Sequence, residues 1–275
     1  MSDTNLVYTY AVLRRTPEAA AATAHLRGVA GEPIHLVAPA VSGHQLAFAI
    51  GHVPPADYDD IPLQAHLHDV DWLESTVRSH HAVVAALVAS GAAVLPLRLA
   101  TVYRDEDRAR QALDIRRGYF LSLLDRLTGH VELGVKIYAA PDITPPEDGP
   151  EPAQDPVTGL GVGRAYQAIR RRRQRRNEEA WRTVAQAAAR LTDTAGALAV
   201  DRVAHTLERG SPAGTAPGTN VANDAYLVPA DRVVAFRAGI LAAAQGVPGL
   251  RVEITGPWAP YSFALQPEPH EEPAA

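Results

Sequence analysis

Apolar and polar positions along the chain switch between two periods. Residues 6–13 (LVYTYAVL) are β-branched and aromatic with apolar side chains on both faces, the pattern of a strand inside a sheet. PIHLVAP (33–39) and HQLAFAI (44–50) add two short strand candidates, parted by AVSG. Over residues 71–89 the period becomes helical, with Leu73, Val77, Val84 and Leu87 on one stripe and Gly91 as the stop. AVLPLRLATVY (93–103) returns to period two, and Pro96 within it points to an edge strand or a bulge. Residues 105–127 predict a second helix, whose acidic first turn suits the positive end of the helix dipole. HVELGVKIY (130–138) then alternates cleanly, with Val131, Leu133, Val135 and Ile137 on one face and Glu132 and Lys136 on the other.

Proline and glycine punctuate the second half. Residues 140–158 mix proline with acidic residues without an apolar period and read as a linker. Residues 210–220 (GSPAGTAPGTN) read as a flexible loop, and residues 266–275 as a disordered tail. Between them a long helical region spans 160–208, with a break expected near Gly196. A strand follows at 224–228, then a helix at 231–245 and a strand from 251 into the Gly-Pro turn at 256–257. Counted from residue 130, the order is strand, long helix, strand or two, helix, strand, which is that of a split βαβ, ferredoxin-like unit. The fold expectation is α+β in two domains, each a mostly antiparallel sheet with helices packed on one side. Residues 1–129 form the first domain and 130–265 the second, ferredoxin-like one.

Composition narrows the function classes. A length of 275 residues suits two domains, and 47% hydrophobic content supplies real cores. A formal net charge of −5 argues against a nucleic-acid binder at the level of the whole chain. The absence of cysteine excludes a disulfide framework, thiolate catalysis and Cys-ligated zinc. No basic segment followed by an apolar stretch opens the chain, and no apolar run reaches the ~18 residues of a membrane span. The expected location is the cytoplasm.

Two clusters raise the question of chemistry. QAHLHDVDWLESTVRSHHAVV (64–84) carries His66, His68, His80 and His81 with Asp69, Asp71 and Glu74. A metal-dependent hydrolase could use His66, His68 and Asp69 or Asp71. The His-x-His-x-Asp-His pattern is out of register, however, because Val70 and Asp71 stand where Asp and His are needed. Asp69 or Asp71 has a commoner task as an N-cap or first-turn acid ahead of WLESTV. His80 continues the apolar stripe and belongs at the core boundary with its ring nitrogens bonded, while Glu74 and Arg78 stand at i, i+4.

The second cluster is Arg170, Arg171, Arg172, Arg173, Arg175 and Arg176, inside a helical pattern that resumes at Ala180, Trp181 and Val184. It reads as a solvated face or a docking surface for an acidic partner ahead of a phosphate- or RNA-binding regulator, since no aromatics are interleaved. No Gly-x-Ser-x-Gly elbow, P-loop or HExxH is present. GLGVG (159–163) follows a proline linker rather than a strand, so it is a poor phosphate site.

Taken together, YTYAVL, DVDWLESTVRSHHAVV, AVLPLRLATVY, HVELGVKIY, NDAYLV and TGPWAPYSF resemble, in order and spacing, the gas vesicle protein F/L family (GvpF/GvpL) across nearly the whole chain. The most specific piece is Gly256-Pro257-Trp258 with Pro260, Tyr261, Ser262 and Phe263, followed by Leu95-Pro96-Leu97-Arg98 and the Gly134-Val135-Lys136 strand. The chain departs from the family pattern in three places. His80 is followed by His81 instead of Glu, Leu99-Ala100 replaces Phe-Gly, and Glu132-Leu133-Gly134 replaces Glu-Trp-Gly.

The resemblance implies an accessory protein of gas vesicle formation, not an enzyme, with no cofactor and no metal. Its partners would be the small hydrophobic wall protein and other accessory gas vesicle proteins, with no membrane and no nucleic acid among them. It would be cytoplasmic and associated with the vesicle. The family-motif residues Trp72, His80, Pro96, Arg98, Lys136, Pro257, Trp258, Tyr261 and Phe263 are then expected to be structural or to line an interface. Trp72 would anchor the first long helix to the sheet, and Trp258, Tyr261 and Phe263 would lock the end of the last strand. Arg98 and Lys136 would pair with Glu132 or another acid.

Overall fold

The strand whose apolar residues face both ways, β1 (Leu6–Arg14), lies inside a sheet. In this computed structural model, which describes residues 5–40, 46–145, 162–208 and 218–264, β1 pairs antiparallel with β3 (Leu46–Val53) on one side and β4 (Val94–Pro96) on the other. β2 (His35–Val37) adds the outer edge beside β3, and β5 (Val102–Tyr103) pairs with the start of β1. The β1–β3 register slips by one residue between Thr9 and Ala11, so Tyr10 is the extra residue of a β-bulge. A slip of one residue reverses the facing of everything beyond it. Tyr8 and Tyr10 before the step and Ala11 and Leu13 after it therefore all reach the same buried cluster.

That cluster is closed by α4 (Val70–Ala89), through Val83, Val84 and Leu87. On the opposite face Phe48 of β3 meets Phe120 of α6 (Arg117–Leu127), with ring centroids 6.0 Å apart. Helices thus cover both faces of the first sheet, where the sequence pattern predicted one. β1 and β3 are apolar on both sides, and each face must be shielded from water.

The helix predicted over 105–127 is two helices. α5 (Glu106–Ile115) and α6 meet at Arg116, whose φ of −96° and ψ of 14° lie outside the helical region. Three further short helices, α1 (Pro17–Thr23), α2 (Pro55–Tyr58) and α3 (Asp60–His66), were not expected. Each begins with a local signal. Thr16 caps α1 with Pro17 in its first turn, Pro55 opens α2, and Asp59 caps α3.

β6 (His130–Ala139) buries Leu133, Val135, Ile137 and Ala139 in alternation, as its pattern predicts. It sits in the second sheet, whose order is β7 (Asp201–Ala204), β8 (Thr219–Pro229), β6, β9 (Leu250–Trp258). With α7 (Val162–Leu198) after the first strand and α8 (Val233–Ala244) after the third, this is the ferredoxin-like arrangement. α7 seats Ala188, Leu191 and Ala195, and α8 seats Phe236 and Ile240, on Leu133, Val135, Ile137, Tyr226 and Val228. α7 runs through Gly196 without a break and stops at Leu198, short of the predicted 208, because the next residues form β7 against β8. β8 starts at Thr219, inside the segment predicted as a loop. Residues 146–158 of the predicted linker, 210–217 of that loop and the tail at 266–275 lie outside the described residues.

The chain divides into two compact units, Met1–Glu132 with Trp258–Ala275, and Leu133–Pro257. Residues 258–264, which the sequence pattern put in the second domain, group with the first unit. There Ala259 joins the cluster of Tyr8 and Leu87, with Tyr261 packed against it. Among the described residues, no helix is long and apolar enough to cross a membrane.

Candidate functional site

The histidine-rich stretch folds as a capped helix. Asp69 is the N-cap of α4, its carboxylate accepting the N–H groups of Asp71 at 3.0 Å and Trp72 at 3.2 Å. Glu74 and Arg78 form the expected i, i+4 pair. His66 is not part of the cap. It stacks on Trp72, ring centroids 4.9 Å apart, with its Nε2 3.5 Å from the Asp57 carboxylate. His68 and Asp69 are exposed, and His66, His68 and Asp69 do not converge on a common point for an ion. Among the described residues, this geometry does not assemble the ligand set that a hydrolase using His66, His68 and Asp69 or Asp71 would need.

Below the cap, His80 is buried at 2% exposure among aromatic rings of unit one. The Tyr8 hydroxyl accepts the Ala100 N–H at 3.0 Å and shares a second hydrogen bond, also of 3.0 Å, with His80 Nδ1. Burial first, and the neighbouring His81 second, push the His80 pKa down to about 4 against an opposing pull from the Leu97 backbone. Tyr10 and Tyr261 flank the imidazole at 5.4 and 6.2 Å between centroids, and Tyr261 meets His81 edge-on at 4.8 Å. Burial drives the hydroxyls of Tyr8, Tyr10 and Tyr261 well above the ordinary phenol range. These are neutral, packed groups.

The remaining motif residues take separate places. Trp72 is half-buried and tilts against Tyr58 at 5.6 Å. Pro96 is buried at the end of β4, and Arg98 beyond it is exposed. Lys136 pairs with Glu208 at 2.5 Å, whose other oxygen accepts from the Tyr138 hydroxyl at 2.9 Å. Glu132, the first partner expected for Lys136, instead accepts from the N–H and the hydroxyl of Ser262, each at 2.8 Å. The Gly256–Pro257 peptide is cis. Phe263 is buried, whereas Trp258, expected to lock the strand end, is 57% exposed.

Arg170 to Arg173, Arg175 and Arg176 are all exposed on α7, whose packed apolar stripe begins at Ala180 and Trp181 and is fully buried from Val184. Asn177 marks the boundary. It holds Thr144 through three hydrogen bonds of 3.0 to 3.2 Å, so a shallow groove runs between that strand exit and the arginines. A third cluster, His35, His52 and Glu106, escaped the sequence reading because strand pairing and a helix start bring it together across 71 residues.

The profile of the family described as "Gas vesicle synthesis protein GvpL/GvpF" matches residues 6–265. The chain belongs to the GvpL/GvpF family. It is 38% identical over 264 residues to gas vesicle protein L of Streptomyces sp. (strain CB03234), covering 96% of this chain and 94% of that protein. Crystal structures of GvpF from Anabaena sp. PCC7120 and from Microcystis aeruginosa share its fold, each with a TM-score of 0.62 at 18% identity. They cover 95% and 96% of this chain, and 97% and 100% of their own. Two α+β units with antiparallel pairing are thus the family fold, and the family's role is in gas vesicle assembly.

Membership gives meaning to one departure from the GvpL/GvpF pattern. Ala100, standing where the resemblance leads one to expect glycine, has φ of 61°. That is the left-handed region in which a Cβ is disfavoured. Its N–H is the donor that orients Tyr8, so the strained turn and the buried Tyr8–His80 pair are one assembly.

Proposed function

We propose that this GvpL/GvpF member is a non-catalytic assembly factor that binds the small hydrophobic wall protein, other accessory gas vesicle proteins, or both, and aids shell nucleation in the cytoplasm at the growing vesicle. The observation that carries the reading is the family match over residues 6–265. Physical features of the chain support it. β7 and β9 are the edge strands of the second sheet, and an edge offers backbone donors and acceptors to an added strand. Trp258, at the end of β9, is an exposed aromatic anchor of the kind that binding surfaces use. The arginines of α7 offer a separate basic face for an acidic partner.

The test is co-expression with the wall protein of the same host, followed by pull-down and light scattering of the soluble fraction. Specific retention with reduced scattering supports direct binding. No retention at any stoichiometry sinks wall-protein binding and turns attention to the accessory proteins. Replacing Arg170, Arg172, Arg173 and Arg176 with glutamate then separates the two surfaces: loss of accessory-protein capture with wall-protein retention intact assigns the arginine face to the former.

A further inference from the structure

In the first unit, two imidazoles and a carboxylate meet at the outer edge of the sheet. His35 on β2 pairs in register with Ile50 of β3, and His52 lies two residues beyond Ile50, so both histidines rise from the same sheet face. Glu106 comes down onto them from the first turn of α5, a position fixed by the Asp105 cap, whose carboxylate accepts the Arg108 N–H at 2.7 Å. His35 Nε2 is 3.0 Å and His52 Nε2 3.5 Å from the same oxygen, Oε1 of Glu106. The three candidate ligand atoms all lie within 4.8 Å of one another.

From this geometry we propose that His35, His52 and Glu106 bind a divalent transition-metal ion, with zinc the ion that best fits the donors, and that the ion clasps α5 to the β2–β3 edge. Zinc bonds of ~2.0–2.2 Å set tetrahedral ligand atoms about 3.3 Å apart, so the side chains need only small shifts to close on an ion. Two imidazole nitrogens with one carboxylate oxygen favour zinc over magnesium or calcium, which take all-oxygen shells. Arg110, one helical turn on, holds the other Glu106 oxygen at 2.6 Å. That contact orients the carboxylate in the way outer partners orient metal ligands. Side-chain exposures of 41% for His35, 37% for His52 and 30% for Glu106 leave a path for the ion and room for a water as fourth ligand. The site is separate from the histidine-rich stretch of residues 64–84, and nothing in it depends on the wall protein.

The test uses the tag-free full chain, freed of metal by dialysis and titrated with zinc sulfate by calorimetry, with cobalt(II) absorption as a geometric probe. One ion per chain, visible tetrahedral cobalt bands and a raised Tm are expected. Affinity should fall at least tenfold in Glu106→Gln and in His35→Gln with His52→Gln, and stay unchanged in His66→Gln with His68→Gln. Unchanged affinity in the first two variants, or loss confined to the last, overturns the site. Should a variant lose its far-UV circular dichroism, the unmutated chain decides. Zinc must then protect His35 and His52 from diethylpyrocarbonate in peptide mapping, and equal modification with and without zinc rejects the proposal.

Discussion

Tyr8 and His80, 72 residues apart in sequence, are joined by a 3.0 Å hydrogen bond between the Tyr8 hydroxyl and the His80 Nδ1. The bond ties the inner strand of the first sheet to the helix that covers it, in a place that water does not reach. The same hydroxyl receives the N–H of Ala100, so a single oxygen organises β1, α4 and the turn after β4.

Removing that oxygen tests its worth. Tyr8→Phe keeps the ring in the core but leaves both His80 Nδ1 and the Ala100 N–H without a partner. A buried polar group left unsatisfied costs about 1–3 kcal/mol. Urea unfolding should show a lower midpoint with an unchanged slope. An unchanged midpoint would show that water or a side-chain shift replaces the bond.

The lowered pKa of His80 makes stability depend on pH. The folded-state value of about 4 lies below the unfolded value of 6.5, so below pH 6.5 the unfolded chain takes up the proton and the native chain does not. The stabilisation held at neutral pH is therefore lost as pH falls from about 6.5 towards 4, amounting to roughly 2 kcal/mol at pH 5. His80→Phe removes this dependence. The difference in unfolding free energy between the two proteins, measured from pH 7 to pH 5, should shrink on acidification. A constant difference would place the proton elsewhere.

Ala100→Gly should stabilise the protein. Relief of strain at φ of 61° outweighs the extra freedom that glycine gives the unfolded chain. The expected gain is about 1 kcal/mol, a rise of roughly 2–4 °C in Tm for a chain of this size class. A lower Tm would mean that the alanine methyl has packing value greater than the strain.

Glu132→Ala should loosen the segment that carries Tyr261 and Phe263. The carboxylate receives two charge-assisted bonds from Ser262, and its loss leaves that N–H and hydroxyl without their acceptor. Hydrogen exchange at residues 261–264 is expected to quicken at least tenfold, while that of α7 and α8 stays the same. Uniform quickening would indicate global destabilisation instead.

What the sequence made legible follows from the range of the interactions involved. β1, β6 and α4 were readable because a repeating period records which face meets the core, and the Asp69 cap and the Glu74–Arg78 pair are local in sequence. The ferredoxin-like order followed from element order alone. The division at Arg116 was not readable, since the apolar stripe continues across it and Gly118, two residues on, lies within α6 rather than at the break. The short helices α1 to α3 carry start signals but too few turns to show a period. The partner of Lys136 and the placing of Trp258 depend on contacts far apart in sequence, as do His35, His52 and Glu106. No spacing within one element encodes them.

The first unit is built from two pieces of chain, up to Glu132 and again from Trp258, with the whole second unit between them in sequence. Translation delivers these pieces in order. When Leu133–Pro257 leaves the ribosome, its sheet strands, α7 and α8 have all been synthesised, while the earlier unit still lacks Ala259 and Phe263 for its core. The ferredoxin-like unit can therefore mature first, and the N-terminal unit waits for a short segment made after it. Cutting the chain once between the two halves would not yield two domains, because the N-terminal piece would always be missing its closing residues.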